Sequence, residues 1–281
     1  MANITAAMVK DLRDKSGAGM MDCKKALTEA DGDMDGAMEV LRKRGMAKAA
    51  KKASRATKHG LVAVHVGDGQ AALAEVNCET DFVARNDVFQ TFVGELVERI
   101  ATEHKRADGD VTEAAQQAEE ANLSALIGKI GENMILPRAQ RWESDGTLGS
   151  YIHMGGKIGV LVDMHGDLPD DEDFVKDVCM HIAAFRPTYI VPEDVPENVL
   201  DKEREIAAAQ VEGKPANIID KIVDGKIGKW YSEVCLTRQP WLRDDKTCLA
   251  ELAPGLTIDR FLRWEVGELA AAEEAEEDAA E

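Results

Sequence analysis

Cys78, with Asp81 three positions on and His65 a strand's length upstream, offers a thiol, an acid and an imidazole, the residue types of nucleophilic cysteine chemistry. Other chemistries lack their spacing. Lysine follows glycine at 129, 157, 214, 226 and 229, but Ile, Pro or Trp comes next, never the Ser or Thr of a phosphate-binding loop. The histidines show no HExxH or HxxxH pairing, so no histidine metal site is expected. His153 precedes Gly155-Gly156-Lys157, which reads as a hairpin turn and makes it a strand-end residue. Asp81-Phe82 differs from these, because a strand-like pattern stops there and leaves a large aromatic flanked by charge. Such a side chain is either buried locally, with Asp81 helping to start the following helix, or built to enter a partner.

These residues need elements to position them, and 281 residues suffice for two or three domains with a substantial core. The longest apolar runs, such as Ile158-Gly159-Val160-Leu161-Val162, fall far short of a membrane span. The first thirty residues are polar and Lys-rich, so neither a signal segment nor a membrane location is expected. Five cysteines, the closest pair 13 positions apart, suggest neither disulfides nor zinc and point to a reducing, cytoplasmic setting. The net charge of −19 is uneven: residues 1–58 carry +5 and the remainder −24. So acidic a chain is a poor general nucleic-acid binder, which favours protein or small-molecule partners.

Thr5 is a natural helix cap, with Met8, Val9 and Leu12 on one face and Gly17 as the stop. Cys23, Ala26, Leu27 and Ala30 keep helical spacing in a second helix; Met34, Ala37, Met38 and Leu41 keep it in a third that Gly45 closes. Residues 1–45 therefore read as a three-helix bundle resembling a ubiquitin-associated domain, and residues 46–58 as a basic helical linker. A duplication follows. The segment from Phe92 to Ala101 aligns without gaps to that from Phe174 to Ala183, and Arg138-Ala139-Gln140-Arg141-Trp142-Glu143 aligns to Arg260-Phe261-Leu262-Arg263-Trp264-Glu265. Two strand-like runs precede each copy, at 61–66 and 71–76, then at 148–153 and 157–164. The fold class is α+β: antiparallel sheet with helices on one face, repeated over 59–145 and 146–267. About forty extra residues in the second copy, near 190–230, carry the spacing of an antiparallel helical (coiled-coil) hairpin that turns at Gly213-Lys214-Pro215. Residues 268–281 form an acidic tail.

Two stretches carry a family resemblance: Ser16-Gly17-Ala18-Gly19-Met20-Met21-Asp22-Cys23-Lys24-Lys25-Ala26-Leu27 and Asn77-Cys78-Glu79-Thr80-Asp81-Phe82-Val83-Ala84-Arg85-Asn86. The chain, up to about residue 267, resembles translation elongation factor Ts, the guanine-nucleotide exchange factor of elongation factor Tu. The resemblance implies that Asp81 and Phe82, with Thr80 and Val83 beside them, enter the GTPase domain near its magnesium and phosphate site and loosen the nucleotide. It implies further contacts by Arg13, Met20 and Met21 with a helix of that domain, by Ile130 and Gly131 of Lys129-Ile130-Gly131-Glu132-Asn133, and by His153. It implies no catalytic group, no cofactor and no metal of the protein's own. No direct binding of nucleotide, membrane or nucleic acid is expected. Two rivals stand beside it: an adaptor in which Phe82 is buried, and a cysteine enzyme centred on Cys78.

Overall fold

A computed structural model describes residues 3–103, 108–171, 173–211 and 216–272. Helices α1 (Ala6–Ser16), α2 (Met20–Glu29) and α3 (Met34–Ala50) lead into strands β1 (His59–Gly67) and β2 (Gln70–Cys78), the one-turn helix α4 (Asp81–Ala84) and helix α5 (Asp87–Glu103). Strand β3 (Gly109–Asp110), helix α6 (Thr112–Ile130) and strand β4 (Met134–Glu143) complete the first copy. The second copy has β5 (Thr147–His153), β6 (Ile158–Gly166) and α7 (Phe174–Phe185), then α8 (Glu197–Ala209) and α9 (Ala216–Val234). It ends with β7 (Pro240–Trp241), β8 (Asp244–Cys248), α10 (Leu249–Leu252) and β9 (Leu256–Glu265).

The bundle starts as its caps dictate. Thr5 Oγ1 accepts from the Met8 N–H at 3.3 Å, and Gly17, at φ +64°, ends α1. Val9, Leu12, Cys23, Ala26, Leu27 and Ala37 form its small core. Two expectations fail here. Helix α3 does not close at Gly45 but runs on to Ala50, and so absorbs the start of the basic linker. The reason is packing: α3 crosses α6 where a side chain on Gly128 would lie 3.4 Å from the Gly45 Cα, so Gly45 serves close approach instead of termination. Met38, expected in the core, is 39% exposed and lines the cleft between the bundle and α6.

Both copies form antiparallel sheets, in the order β1-β2-β4-β3 and β5-β6-β9. Alternation along each strand sends one face to helices and the other to the opposite sheet. In β2, Ala72, Ala74, Val76 and Cys78 pack with Phe89, Val93, Leu96 and Ile100 of α5, while Ala71 and Leu73 meet Leu161 of β6. In β6, Val160, Val162 and Met164 pack with Val178 and Ile182 of α7. The result is four layers, helix, sheet, sheet, helix. Opposite Glu75–Asn77 of β2 the strand β4 carries one extra residue, a bulge beside Pro137, which lacks an N–H to donate. The predicted insertion is the α8–α9 pair; its turn at Gly213-Lys214-Pro215 lies outside the described residues, as do residues 273–281. Sequence reading missed the short β7–β8 ribbon and the two-residue β3. Among the described residues no helix is long and apolar enough to cross a membrane.

The duplicated Arg-x-x-Arg-Trp-Glu motif explains how the sheets are joined. Arg138 Nε donates to buried Glu75 at 2.7 Å, lies 4.5 Å over the Trp264 ring and donates to the Glu265 carbonyl at 3.1 Å. Arg260 Nε donates to buried Asp163 at 3.1 Å, lies 4.6 Å over the Trp142 ring and donates to the Glu143 carbonyl at 3.0 Å. Each copy's first arginine thus grips the other copy's tryptophan and glutamate. The second arginines act within their own copies: Arg141 Nε donates to the Ala101 carbonyl and Arg263 Nε to the Ala183 carbonyl, the same position of the aligned helices. Replacing Arg260 by Met leaves Asp163 charged, buried and short of its ionic partner, so urea denaturation of R260M is expected to show a loss of about 3 kcal/mol. A loss below about 0.5 kcal/mol would mean that the exchanged arginines do not hold the sheets together.

Candidate functional site

Strand β2 ends at Cys78 and the chain turns at once into α4, so Asp81 and Phe82 sit on a corner and not within a packed element. Thr80 caps that turn, its Oγ1 accepting from the Val83 N–H at 3.4 Å. The cap is itself held: Glu132 accepts from the Thr80 N–H at 3.0 Å and from its hydroxyl at 2.7 Å. A second bond runs the other way, from the Asn133 N–H to Glu79 at 2.5 Å, and Asn133 Nδ2 donates to the Arg55 carbonyl at 2.8 Å. Val83 is buried in the core of the first copy, so it anchors α4 from beneath and is not placed to meet a partner directly. Phe82 is thereby turned outward and is 83% exposed, against the reading that made it a core residue. Asp81 pairs with Arg85 at 3.1 Å one turn on, an exposed contact of small energy.

The remaining implied residues fall into two groups around this corner. Ile130 and Gly131 end α6, Gly131 at φ +94°, immediately before the Glu132 and Asn133 that hold Thr80 and Glu79. Lys52 Nζ donates to the Gly131 carbonyl, and the chain at Gly17 lies against Lys129. The exposed Met20 and Met21, at 58% and 64%, begin α2 just beyond Gly17 and so belong to the same side of the molecule, with exposed Arg13 one turn before the end of α1. Neither methionine is a core residue. On the other flank His153 ends β5, with its Nδ1 3.0 Å from the Tyr151 hydroxyl. The turn after it packs on β1: the Val62 N–H donates to the Gly156 carbonyl at 2.7 Å, and a side chain on Gly156 would meet Leu61 at 2.7 Å. Since His59 of β1 pairs with Cys78, this turn and α4 flank the same strand.

Sequence reading missed Glu132 and Asn133, although both stand in the motif quoted for Ile130 and Gly131. The signal was an acid and an amide directly after a glycine that reverses the chain. It also missed Met154, 69% exposed at the tip of the β5–β6 turn with φ +50°.

The thiol chemistry does not assemble. Cys78 is buried, its Sγ donates to the Thr80 carbonyl at 3.2 Å, and burial, reinforced by the charge of Glu132, pushes its pKa up to about 11. His65 lies six residues along β1 from His59, the partner of Cys78, a separation of roughly 20 Å at about 3.3 Å per residue. Asp163, His165 and Asp259 gather closely enough to suggest a cation site. However, Asp163 already accepts from the Ser144 hydroxyl at 2.6 Å and from Arg260, whose guanidinium opposes a dication. What remains is His165 held between Asp145, 2.9 Å from Nε2, and Asp259.

The family model described as elongation factor TS matches residues 79–268, which include the corner, the Ile130-Gly131 loop and His153. The chain belongs to the elongation factor Ts family. Family members named Elongation factor Ts resemble it along nearly their full length. That of Nautilia profundicola is 47% identical, covering 95% of this chain and 94% of its own. Those of Thioalkalivibrio sulfidiphilus and Halothermothrix orenii are 46% and 45% identical, covering 94% and 96% of this chain and 92% and 94% of theirs. The family match begins after Arg13, Met20 and Met21, while the full-length relatives extend over most of the chain.

Two measurements probe the site without a partner. Glu132→Ala removes the acceptor for both Thr80 donors, and hydrogen exchange at the Thr80 and Val83 amides is expected to quicken about tenfold or more, as the loss of about 1–2 kcal/mol of local stability requires. Unchanged exchange would show that Glu132 does not hold the corner. The hydrogen bond to Asp145 is the largest cause raising the His165 pKa above 6.5, with Asp259 adding to it. Because the folded pKa exceeds the unfolded one, this stabilisation is present below the unfolded pKa and is lost as pH rises through the folded value. An NMR titration of the imidazole is expected to give a midpoint above the ordinary histidine value, and Asp145→Asn to lower it; equal midpoints would refute the clamp.

Proposed function

We propose that the protein is the guanine-nucleotide exchange factor of elongation factor Tu, acting in the cytoplasm in translation elongation. It binds the GDP form, promotes GDP release by disturbing the magnesium and phosphate site, and stabilises the nucleotide-free GTPase until GTP displaces it. The observation that carries this reading is Phe82, 83% exposed on a corner whose base is buried and hydrogen-bonded. An aromatic left in water at that exposure costs solvation free energy that a receiving pocket would return. The adaptor alternative required Phe82 to be buried and loses its ground. The cysteine-enzyme alternative loses its nucleophile to the raised pKa of Cys78. On this reading the protein is not an enzyme in the sense of breaking covalent bonds, and it needs no cofactor or metal of its own.

The energetics set what the surface must supply. Factor and nucleotide weaken each other reciprocally, and a 10⁴-fold faster release requires about 5.5 kcal/mol of destabilisation of the bound nucleotide relative to the release barrier. A phenylalanine burying about 150–250 Å² at about 25 cal/mol per Å² contributes a few kcal/mol of binding, only part of it specific to the nucleotide-free state. Arg13, Met20, Met21, Ile130, Gly131 and His153 are the proposed sources of the rest, with Thr80 and Val83 fixing the direction of Asp81 and Phe82. The domain division of the reading is a bundle at 1–45, a linker at 46–58 and core halves at 59–145 and 146–267, with the tail from 268.

With elongation factor Tu carrying a fluorescent GDP, the wild-type protein is expected to accelerate release. Phe82→Ala is expected to lower that acceleration by about one order of magnitude or more, in line with a loss of 1.4 kcal/mol or greater. Its stability should not change, since the ring is in water. A wild-type protein that leaves the intrinsic release rate unaltered would refute the proposal.

A further inference from the structure

Two charge blocks of opposite sign stand far apart in the sequence. Residues 40–67 contain eight Lys or Arg and no Asp or Glu, whereas residues 264–281 contain eight Asp or Glu and no Lys or Arg. Long single-sign blocks repel themselves and seek a counter-charge. In the bundle, Arg44 and Lys48 have one, pairing with Glu29 and Asp22. Three cations after α3 are less well served. Lys51 is exposed, Arg55 stays 52% exposed while reaching Glu79 at 3.3 Å, and Lys52 meets only a carbonyl oxygen among its described hydrogen bonds.

The fold brings the start of the acidic block to this segment. The Gly267 N–H donates to Glu75 at 3.1 Å, Glu268 pairs with Arg138 at 3.3 Å, and a side chain on Gly267 would lie 3.7 Å from the Lys58 carbonyl oxygen. The chain therefore leaves the core beside the last lysine of the basic segment. Nine further residues, 273–281, carry six acids. Fully extended they span about 30 Å.

We propose that the acidic residues 273–281 dock on the basic segment of residues 48–58 of the same chain. Tethering makes this contact effective even if each ion pair is weak, because a short linker holds the tail at an effective concentration in the millimolar range. The docked tail covers cations that would otherwise attract phosphate-bearing polymers. It also sets the charge beside the Thr80 corner, to which Arg55 and Lys52 are tied through Glu79 and Gly131. This inference is independent of the exchange reading and its test needs no partner.

The test is amine acetylation followed by mass spectrometry, at low salt, on the full chain and on a chain ending at Ala272. Loss of the tail is expected to raise the labelling rates of Lys51 and Lys52 about twofold or more, with Lys24 and Lys202 unchanged, and the difference is expected to vanish near 1 M salt, where screening acts within about 3 Å. A full-length variant with the six tail acids changed to Gln should behave as the truncated chain, since it keeps the length and loses the charge. Equal rates in all three proteins would overturn the proposal. Protection that grows with protein concentration would overturn it too, because the tail would then be docking on a second copy.

Discussion

Two buried carboxylates, Glu75 and Asp163, sit in the strands that face each other across the middle of the molecule, and each must be paired to be tolerated there. The partner in each case is the arginine of the adjacent strand, and that arginine spends its flat face and its outer nitrogen on the tryptophan and the glutamate carbonyl of the other copy. Charge burial therefore becomes geometry: neither sheet can slide without stranding a carboxylate, breaking a stack and losing a carbonyl acceptor together. The β5–β6 turn is thereby pressed on β1, where Gly156 and Gly159 allow contact with Leu61 and Val62 that no larger residue would permit. The proposed function depends on this fixed relation, because His153 and Phe82 lie on different copies of the repeat.

The same logic operates on a smaller scale at the corner. A one-turn helix has little stability of its own, so α4 persists because Val83 is buried below it and Glu132 holds its cap from the side. The exposed ring can then keep one direction without contacts of its own. That is an economical way to carry an apolar probe: rigidity comes from polar bonds between two loops, and the probe stays free to be buried elsewhere.

Much of this was legible in the chain. Thr5 and Gly17 bounded the first helix, the alternation of β1, β2, β5 and β6 placed the strands within two residues, and the two gapless alignments located the duplication. The Arg-x-x-Arg-Trp-Glu match was visible as a repeat, but its meaning was not, since a cross-copy exchange of arginines needs two sheets facing each other before it exists. Gly45 was misread for a related reason: a glycine that ends a helix and one that admits a neighbouring helix look alike until α6 is in place. At the site, Asp81, Phe82 and the Ile130-Gly131 loop were found through resemblance. Glu132 was passed over because an acid after a helix-ending glycine is ordinarily solvated, and only the return of β2 to that point gives it Thr80 as a partner. Val83 shows the limit of reading a motif as a unit, for neighbouring positions of a helix point about 100° apart, so that Phe82 faces water while Val83 faces the core.

The central claim is that binding of this protein and binding of nucleotide oppose each other on the GTPase. The direct measurement is the affinity of the protein for elongation factor Tu freed of nucleotide, compared with its affinity at saturating GDP, by calorimetry on the same preparation. The account predicts far weaker binding to the GDP form, by about four decades if the coupling is about 5.5 kcal/mol, with the same factor appearing in the loss of GDP affinity when the protein is bound. Equal affinities for the two forms would contradict it, because a factor that does not distinguish them cannot drive nucleotide out.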